Sequence, residues 1–140
     1  MFIPLLTGCV HTIPVEPDAC VVPDSSVEIS MFDSMIDNLK IDQSVVARGQ
    51  TKMELLDNRL VSPLFAEYLA QKSWDNDKDK WLSVERYKRI YSEHNVRNLI
   101  VKITYFNNER KKNVFIASAL VNDDECSIDF NGYIIVSREF

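Results

Sequence analysis

A chain of 140 residues is long enough for one domain and too short for two. With 46% hydrophobic and 26% charged residues, its composition is globular, which excludes a disordered, collagenous or coiled-coil chain. A net charge of −5 argues against nucleic acid as the main partner, and three glycines leave no room for a Gly-rich phosphate cradle.

In chain order, the first signal is Met1-Phe2-Ile3-Pro4-Leu5-Leu6, an apolar run that leads directly into Leu6-Thr7-Gly8-Cys9. That tetrapeptide resembles the lipobox of bacterial lipoproteins: an aliphatic residue, a small residue, Gly or Ala, then the cysteine that is lipidated. The resemblance covers residues 1–9 and implies a diacylglyceryl group on Cys9, which becomes the mature N-terminus. A full signal peptide carries a positive n-region and a longer apolar stretch. No Lys or Arg precedes Cys9, so the expectation is a true start upstream of Met1. Val10 stands where an aspartate in such lipoproteins often retains the protein at the inner membrane, so the resemblance implies the outer membrane, on its periplasmic face.

Lipidation of Cys9 would leave Cys20 and Cys126, an even pair in an oxidising compartment. A bridge between them would tie the N-terminal segment to the C-terminal sheet; the other reading is two unpaired thiols. Residues 10–24 contain Pro14, Pro17 and Pro23, which fix φ and remove donors, so an extended tether is expected there.

The domain is expected over 25–140. Ser25-Ser26-Val27-Glu28 has capping-box spacing, and Ile29, Phe32, Met35, Ile36 and Leu39 recur at helical steps. Thr51-Lys52-Met53-Glu54 repeats the capping-box spacing ahead of Leu55, Leu56 and Leu60, which predicts a second helix. Pro63 breaks or restarts it, and Leu64, Phe65, Tyr68 and Leu69 form a third apolar set. Residues 73–80 read as a polar loop, and Trp81, Leu82, Val84, Tyr87, Ile90 and Tyr91 as a further amphipathic helix.

From Leu99 the period changes to two, giving a strand to Phe106, a charged turn, and a second strand from Val114 to Val121. Asn131-Gly132 then predicts a type I′ hairpin between Cys126–Phe130 and Tyr133–Arg138. The expected class is α+β: N-terminal amphipathic helices packed on one face of a C-terminal antiparallel meander of about four strands. At the level of fold alone, this order resembles small cystatin-like or nuclear-transport-factor-2-like lipoprotein domains, which would place a small-ligand pocket between helices and sheet.

Candidate site residues come from charge and aromatics. Residues 81–112 hold 8 basic and 3 acidic side chains, while the segments on either side are acidic. Arg86, Arg89, Arg110, Lys111 and Lys112 are the candidates for a basic patch facing an acidic partner, with Trp74 beside Arg86 as an interface anchor. The alternative for the same residues is a solvated helix face and a charged hairpin tip. Trp81, Tyr87 and Phe106 are expected in the core, and a pocket lined by Phe65, Tyr68 and Tyr105 is the ligand-binding alternative. Asp75, Asp77 and Asp79 invite comparison with a calcium loop, but Lys80 and Arg86 replace its glycine and glutamate. His94 stands alone at a helix end, and no GxSxG, HExxH, CxxC or Walker pattern is present, so neither catalysis nor a cofactor or metal is expected.

The functional expectation is a lipid-anchored envelope module that binds or inhibits a protein partner. One version is an immunity protein against a periplasm-acting toxin. An accessory of an envelope secretion, conjugation or pilus machine and a small-ligand carrier are the alternatives.

Overall fold

The computed structural model describes residues 13–140. Residues 1–12, including the lipobox and Cys9, lie outside the described residues. The chain runs α1 (Ser26–Leu39), β1 (Lys52–Leu60), α2 (Pro63–Asn76), α3 (Val84–Ile90), β2 (Arg97–Phe106), β3 (Lys112–Val121) and β4 (Asp129–Arg138). The strands form one antiparallel sheet in the order β1-β2-β3-β4, so the α+β class and the four-stranded meander hold.

Helix α1 begins where its capping box predicts. Ser25 is the N-cap, and its Oγ accepts from the backbone N–H of Glu28 at 3.3 Å. The buried face of α1 (Val27, Met31, Phe32 and Met35) lies on Leu99, Val101, Ile103 and Tyr105 of β2 and Phe115, Ala117, Ala119 and Val121 of β3. These strand residues alternate, so they share one face of the sheet. Leu120 points the other way. It joins Ala66, Leu69 and Ala70 of α2 with Tyr91 and Val96 in a second cluster. The helices therefore divide between the two faces, rather than sharing one.

Two local signals meant something other than expected. Thr51-Lys52-Met53-Glu54 starts a strand, not a helix: Met53 and Leu55 face the α1 core, while Lys52 and Glu54 pair across to Thr104 and Lys102. The Thr51 hydroxyl donates back to the Arg48 carbonyl at 2.8 Å, so it does not cap. A bulge at Leu56 accommodates the adjacent leucines. Non-local pairing with β2 outweighs a cap worth about 1 kcal/mol.

Asn131-Gly132 is likewise no hairpin turn. Ser118 pairs with Gly132 and Ala119 with Phe130, so Asn131 is the extra residue of a bulge within the single strand β4. Gly132 has φ +126°, in the positive region that glycine enters far more readily than other residues, whereas Asn131 has no positive φ, as a type I′ turn would require.

The expected tether is bound to the domain from Val15 onward. The Val15 N–H donates to the Asp123 carbonyl at 2.7 Å, and residues Pro17–Cys20 form a 3-10 turn. Cys20 is fully buried and bonded to Cys126, with Cα atoms 5.5 Å apart across 106 residues of sequence. No helix of the described residues is long and apolar enough to cross a membrane.

Candidate functional site

The basic residues singled out from the sequence do not form one patch. Arg86 and Arg89 lie on α3, whereas Arg110, Lys111 and Lys112 lie in and after the β2–β3 turn. The ten residues of β2 separate the two groups, which at about 3.3 Å per residue is roughly 30 Å. At the turn, Lys111 pairs with Glu109 at 3.6 Å, and Lys112 stands 5.7 Å from the Phe106 ring. Trp74 lies on α2, so the helix extends into the expected polar loop, and its ring is covered by Lys80 at 4.1 Å rather than by Arg86. Trp81 is 83% exposed instead of buried, because α3 starts only at Val84 and Trp81 sits in the turn before it. Tyr87 and Phe106 are half-buried.

The pocket expected from Phe65, Tyr68 and Tyr105 does not form. Phe65 and Tyr68 stack on each other at 6.2 Å beside the α2 cluster, while Tyr105 is buried with Phe32 and Phe115 on the other face. Alternation along β2 and β3 puts the two sets on opposite sides of the sheet.

A cleft forms instead between α2, α3 and the start of β4, with a volume of about 540 Å³. Leu69, Ile90, Ile128 and Phe130 supply its apolar wall, and Lys72, Ser73, Asn76, Asp77, Tyr87, Tyr91 and Asp129 its polar groups. Pro63 makes this geometry possible. At the first helical position its missing N–H costs nothing, and Ser62 caps the Phe65 N–H at 3.1 Å. Helix α2 then projects Leu69, Lys72, Ser73 and Asn76 along one face at steps of three and four. Lys88 of α3 meets Glu67 of α2 at 2.9 Å at the surface of the helix pair.

Hydrogen bonds in the cleft have a fixed direction. The Tyr91 hydroxyl donates to Asp129 Oδ2 at 2.9 Å, and since a phenol has one proton, Ser73 Oγ must donate to Tyr91 at 2.6 Å. Burial is the largest cause of a Tyr91 pKa pushed up to about 12; the Ser73 bond opposes that rise, and the Asp129 charge adds to it. Ser73 thus donates to a neutral phenol, and the relay fixes the positions of the two hydroxyls and the carboxylate.

Asp77 organises the neighbouring turn. Desolvation disfavours its charge, but the Tyr87 hydroxyl and the backbone N–H groups of Asp79, Lys80 and Trp81 outweigh it, so its pKa lies below the usual carboxylate value. Asp75 accepts from Gln71 at 2.9 Å. Asp75 thus bonds within α2, and Asp77 fixes the turn that follows it; no group of three or more His, Cys, Asp or Glu side chains placed to hold a metal occurs among the described residues. His94 has φ +63° and faces Asp124 at 3.3 Å.

No family model, curated protein or solved structure matches this chain. Ser73, Asn76, Tyr91 and Asp129 carried no sequence signal as a group: Tyr91 fitted a helix stripe, and Asp129 lies 38 residues further on. A shallow depression around Tyr68, Gln71 and Asp75 adjoins the cleft, because Lys72 and Asn76 line both. With exposed Leu64 on the same helix and exposed Trp81 above Asp77, the α2–α3 side presents aromatic and aliphatic groups around a polar cleft.

Proposed function

We propose that this chain is a lipid-anchored module of the bacterial envelope that binds, and by binding inhibits, a protein partner through its α2–α3 surface. An immunity protein against a periplasm-acting toxin is the concrete form. The observation that carries the reading is the Cys20–Cys126 bridge, which joins the segment after Cys9 to the loop between β3 and β4. Disulfides of this kind persist in oxidising compartments, where the lipobox resemblance also places the chain. The α2–α3 surface supports the binding part, since the exposed Trp81 and Tyr68 beside a half-polar cleft are of the residue types that anchor interfaces.

The cleft volume favours one second reading, a small-ligand carrier, because about 540 Å³ falls within the range of small-molecule sites. The accessory-factor reading loses its docking patch, since the basic block is split between two ends of the sheet.

The test is to express the gene with its own upstream region in a Gram-negative host and take the intact mass of the membrane-fraction protein. The expected result is a lipid-modified Cys9 and a mass lower by two hydrogens for the bridge. An unmodified, reduced and soluble chain would overturn the localisation. Survival of a deletion strain under attack by its kin then tests the immunity role, and unchanged survival would remove it.

A further inference from the structure

Three residues lining the α2–α3 cleft carry hydroxyls, and each hydroxyl gives its proton to another group of the wall. Tyr87 donates to Asp77 Oδ2 at 3.0 Å, Tyr91 to Asp129 Oδ2 at 2.9 Å, and Ser73 to Tyr91 at 2.6 Å. These hydroxyls therefore offer a guest their lone pairs, which call for a donor. Asp77 also accepts from the backbone N–H groups of Asp79 at 3.1 Å and Trp81 at 3.2 Å, so its capacity is largely used. Asp129 differs. Its Oδ1 receives no hydrogen bond, and its carboxylate makes no ion pair, among the described residues.

Charge points the same way. Asp77 and Asp129 are the two anions of the lining and Lys72 is its one cation. Lys72 donates to Asn131 Oδ1 at 3.3 Å, and the cations nearby are engaged elsewhere, Lys88 on Glu67 and Lys80 on the Trp74 ring. Tyr87, Tyr91 and Phe130 share these walls, and an aromatic ring attracts a cation drawn out of water beside it. Leu69, Ile90 and Ile128 supply aliphatic surface for an uncharged stem.

We infer that the cleft takes an organic cation on an aliphatic stem, with its N–H groups on Asp129 and its charge beside the tyrosine rings. This is the chemistry of an arginine or lysine side chain. A guanidinium suits the walls best, because its planar fork carries several donors and stacks on aromatic rings. The inference rests on the reading of the α2–α3 side as the binding surface and names what that surface binds. The cation is a basic side chain of the partner or, if the cleft serves a carrier, a free alkylguanidinium.

Titration of the disulfide-bonded chain carrying Cys9→Ser, followed by backbone amide NMR shifts, tests it. N-acetyl-arginine methylamide should give saturable shifts at Ser73, Tyr91 and Asp129. N-acetyl-citrulline methylamide, its uncharged isostere, should bind about 10-fold more weakly or worse. Asp129→Asn keeps an acceptor for Tyr91 and should weaken the arginine probe by a similar factor, whereas Lys72→Gln removes the competing cation and should tighten it. Agmatine, a free alkylguanidinium, separates the two sources. Tighter binding of the blocked arginine assigns the cation to a partner's side chain, tighter binding of agmatine to a free solute, and both uphold the inference. Equal binding of citrulline would overturn the cation and leave the surface reading standing. So would arginine binding that is unchanged in Asp129→Asn or weakened in Lys72→Gln. An absence of shifts with every probe would overturn it too, and the survival assay would then judge the partner reading on its own.

Discussion

Glu28 Oε2 accepts from Arg48 Nη2 at 2.9 Å, with the carboxylate sealed from water and the guanidinium lying over the Phe32 ring at 3.8 Å. The same carboxylate accepts from the Asp24 N–H at 3.1 Å and from the Tyr105 hydroxyl at 3.0 Å. The residue that the sequence marks as the N3 member of a capping box thus also joins α1 to the turn before β1 and to β2. Together these donors offset the cost of taking the carboxylate out of water.

Removing Arg48 leaves a buried charge without its cation. Arg48→Met is therefore expected to cost about 3 kcal/mol, read from urea unfolding. Combining it with Glu28→Gln should cost less than the sum of the two single changes, by about 1–3 kcal/mol. Strict additivity would show that the pair does not couple α1 to the turn.

The bridge between Cys20 and Cys126 closes a loop of 106 residues. Constraint of the unfolded chain predicts a loss of about 4–5 kcal/mol in the Cys20→Ser/Cys126→Ser variant, less any relaxation of the native state. Denaturation with and without reductant checks it. Hydrogen exchange at the Val15 N–H should rise in the same variant, because the bridge anchors the segment that holds this amide on Asp123.

Gly132 is needed for its backbone, not for space. A Cβ there would meet nothing within 4 Å, yet φ +126° is a conformation that L residues rarely adopt. Gly132→Ala should therefore cost about 1–3 kcal/mol of unfolding free energy. A neutral effect would mean that the bulge relaxes.

Tyr91 gives a pH dependence. Its pKa rises from 10.0 to about 12, so folding favours the neutral phenol. That contribution is complete below pH 10 and is lost as pH climbs through 12. Tyr105, raised chiefly by burial and then by Glu28, acts in the same direction. The urea midpoint should fall above pH 10, and Tyr91→Phe should make that fall shallower. An unchanged slope would remove Tyr91 as its source.

Trp81 separates stability from binding. With its ring in solvent, Trp81→Ala should change unfolding free energy by no more than about 0.5 kcal/mol. If the α2–α3 surface is the interface, the same change should weaken partner binding, measured by titration calorimetry, by about 2 kcal/mol or more.

Short-range signals read well where the element was decided by its own residues. Ser25 and Glu28 started α1 where the capping box put them, and alternation placed β2 and β3 within two residues. The signals at Thr51 and at Asn131-Gly132 misled, because each motif serves two structures. A threonine followed by an acidic residue three positions later also opens a strand, and a glycine with positive φ suits a bulge as well as a turn. Nothing local chooses between these outcomes.

The sequence alone determined the α+β class, the start of α1, the two central strands and the cysteines available to bridge. Those follow from periodicity and composition, which act within a few residues. Tertiary structure decided that 52–60 is a strand, that the helices flank both faces, that the basic residues sit at two ends, and that Ser73, Tyr91 and Asp129 meet in one cleft. Each of these depends on contacts between residues far apart in sequence, where burial and strand pairing outweigh local preference.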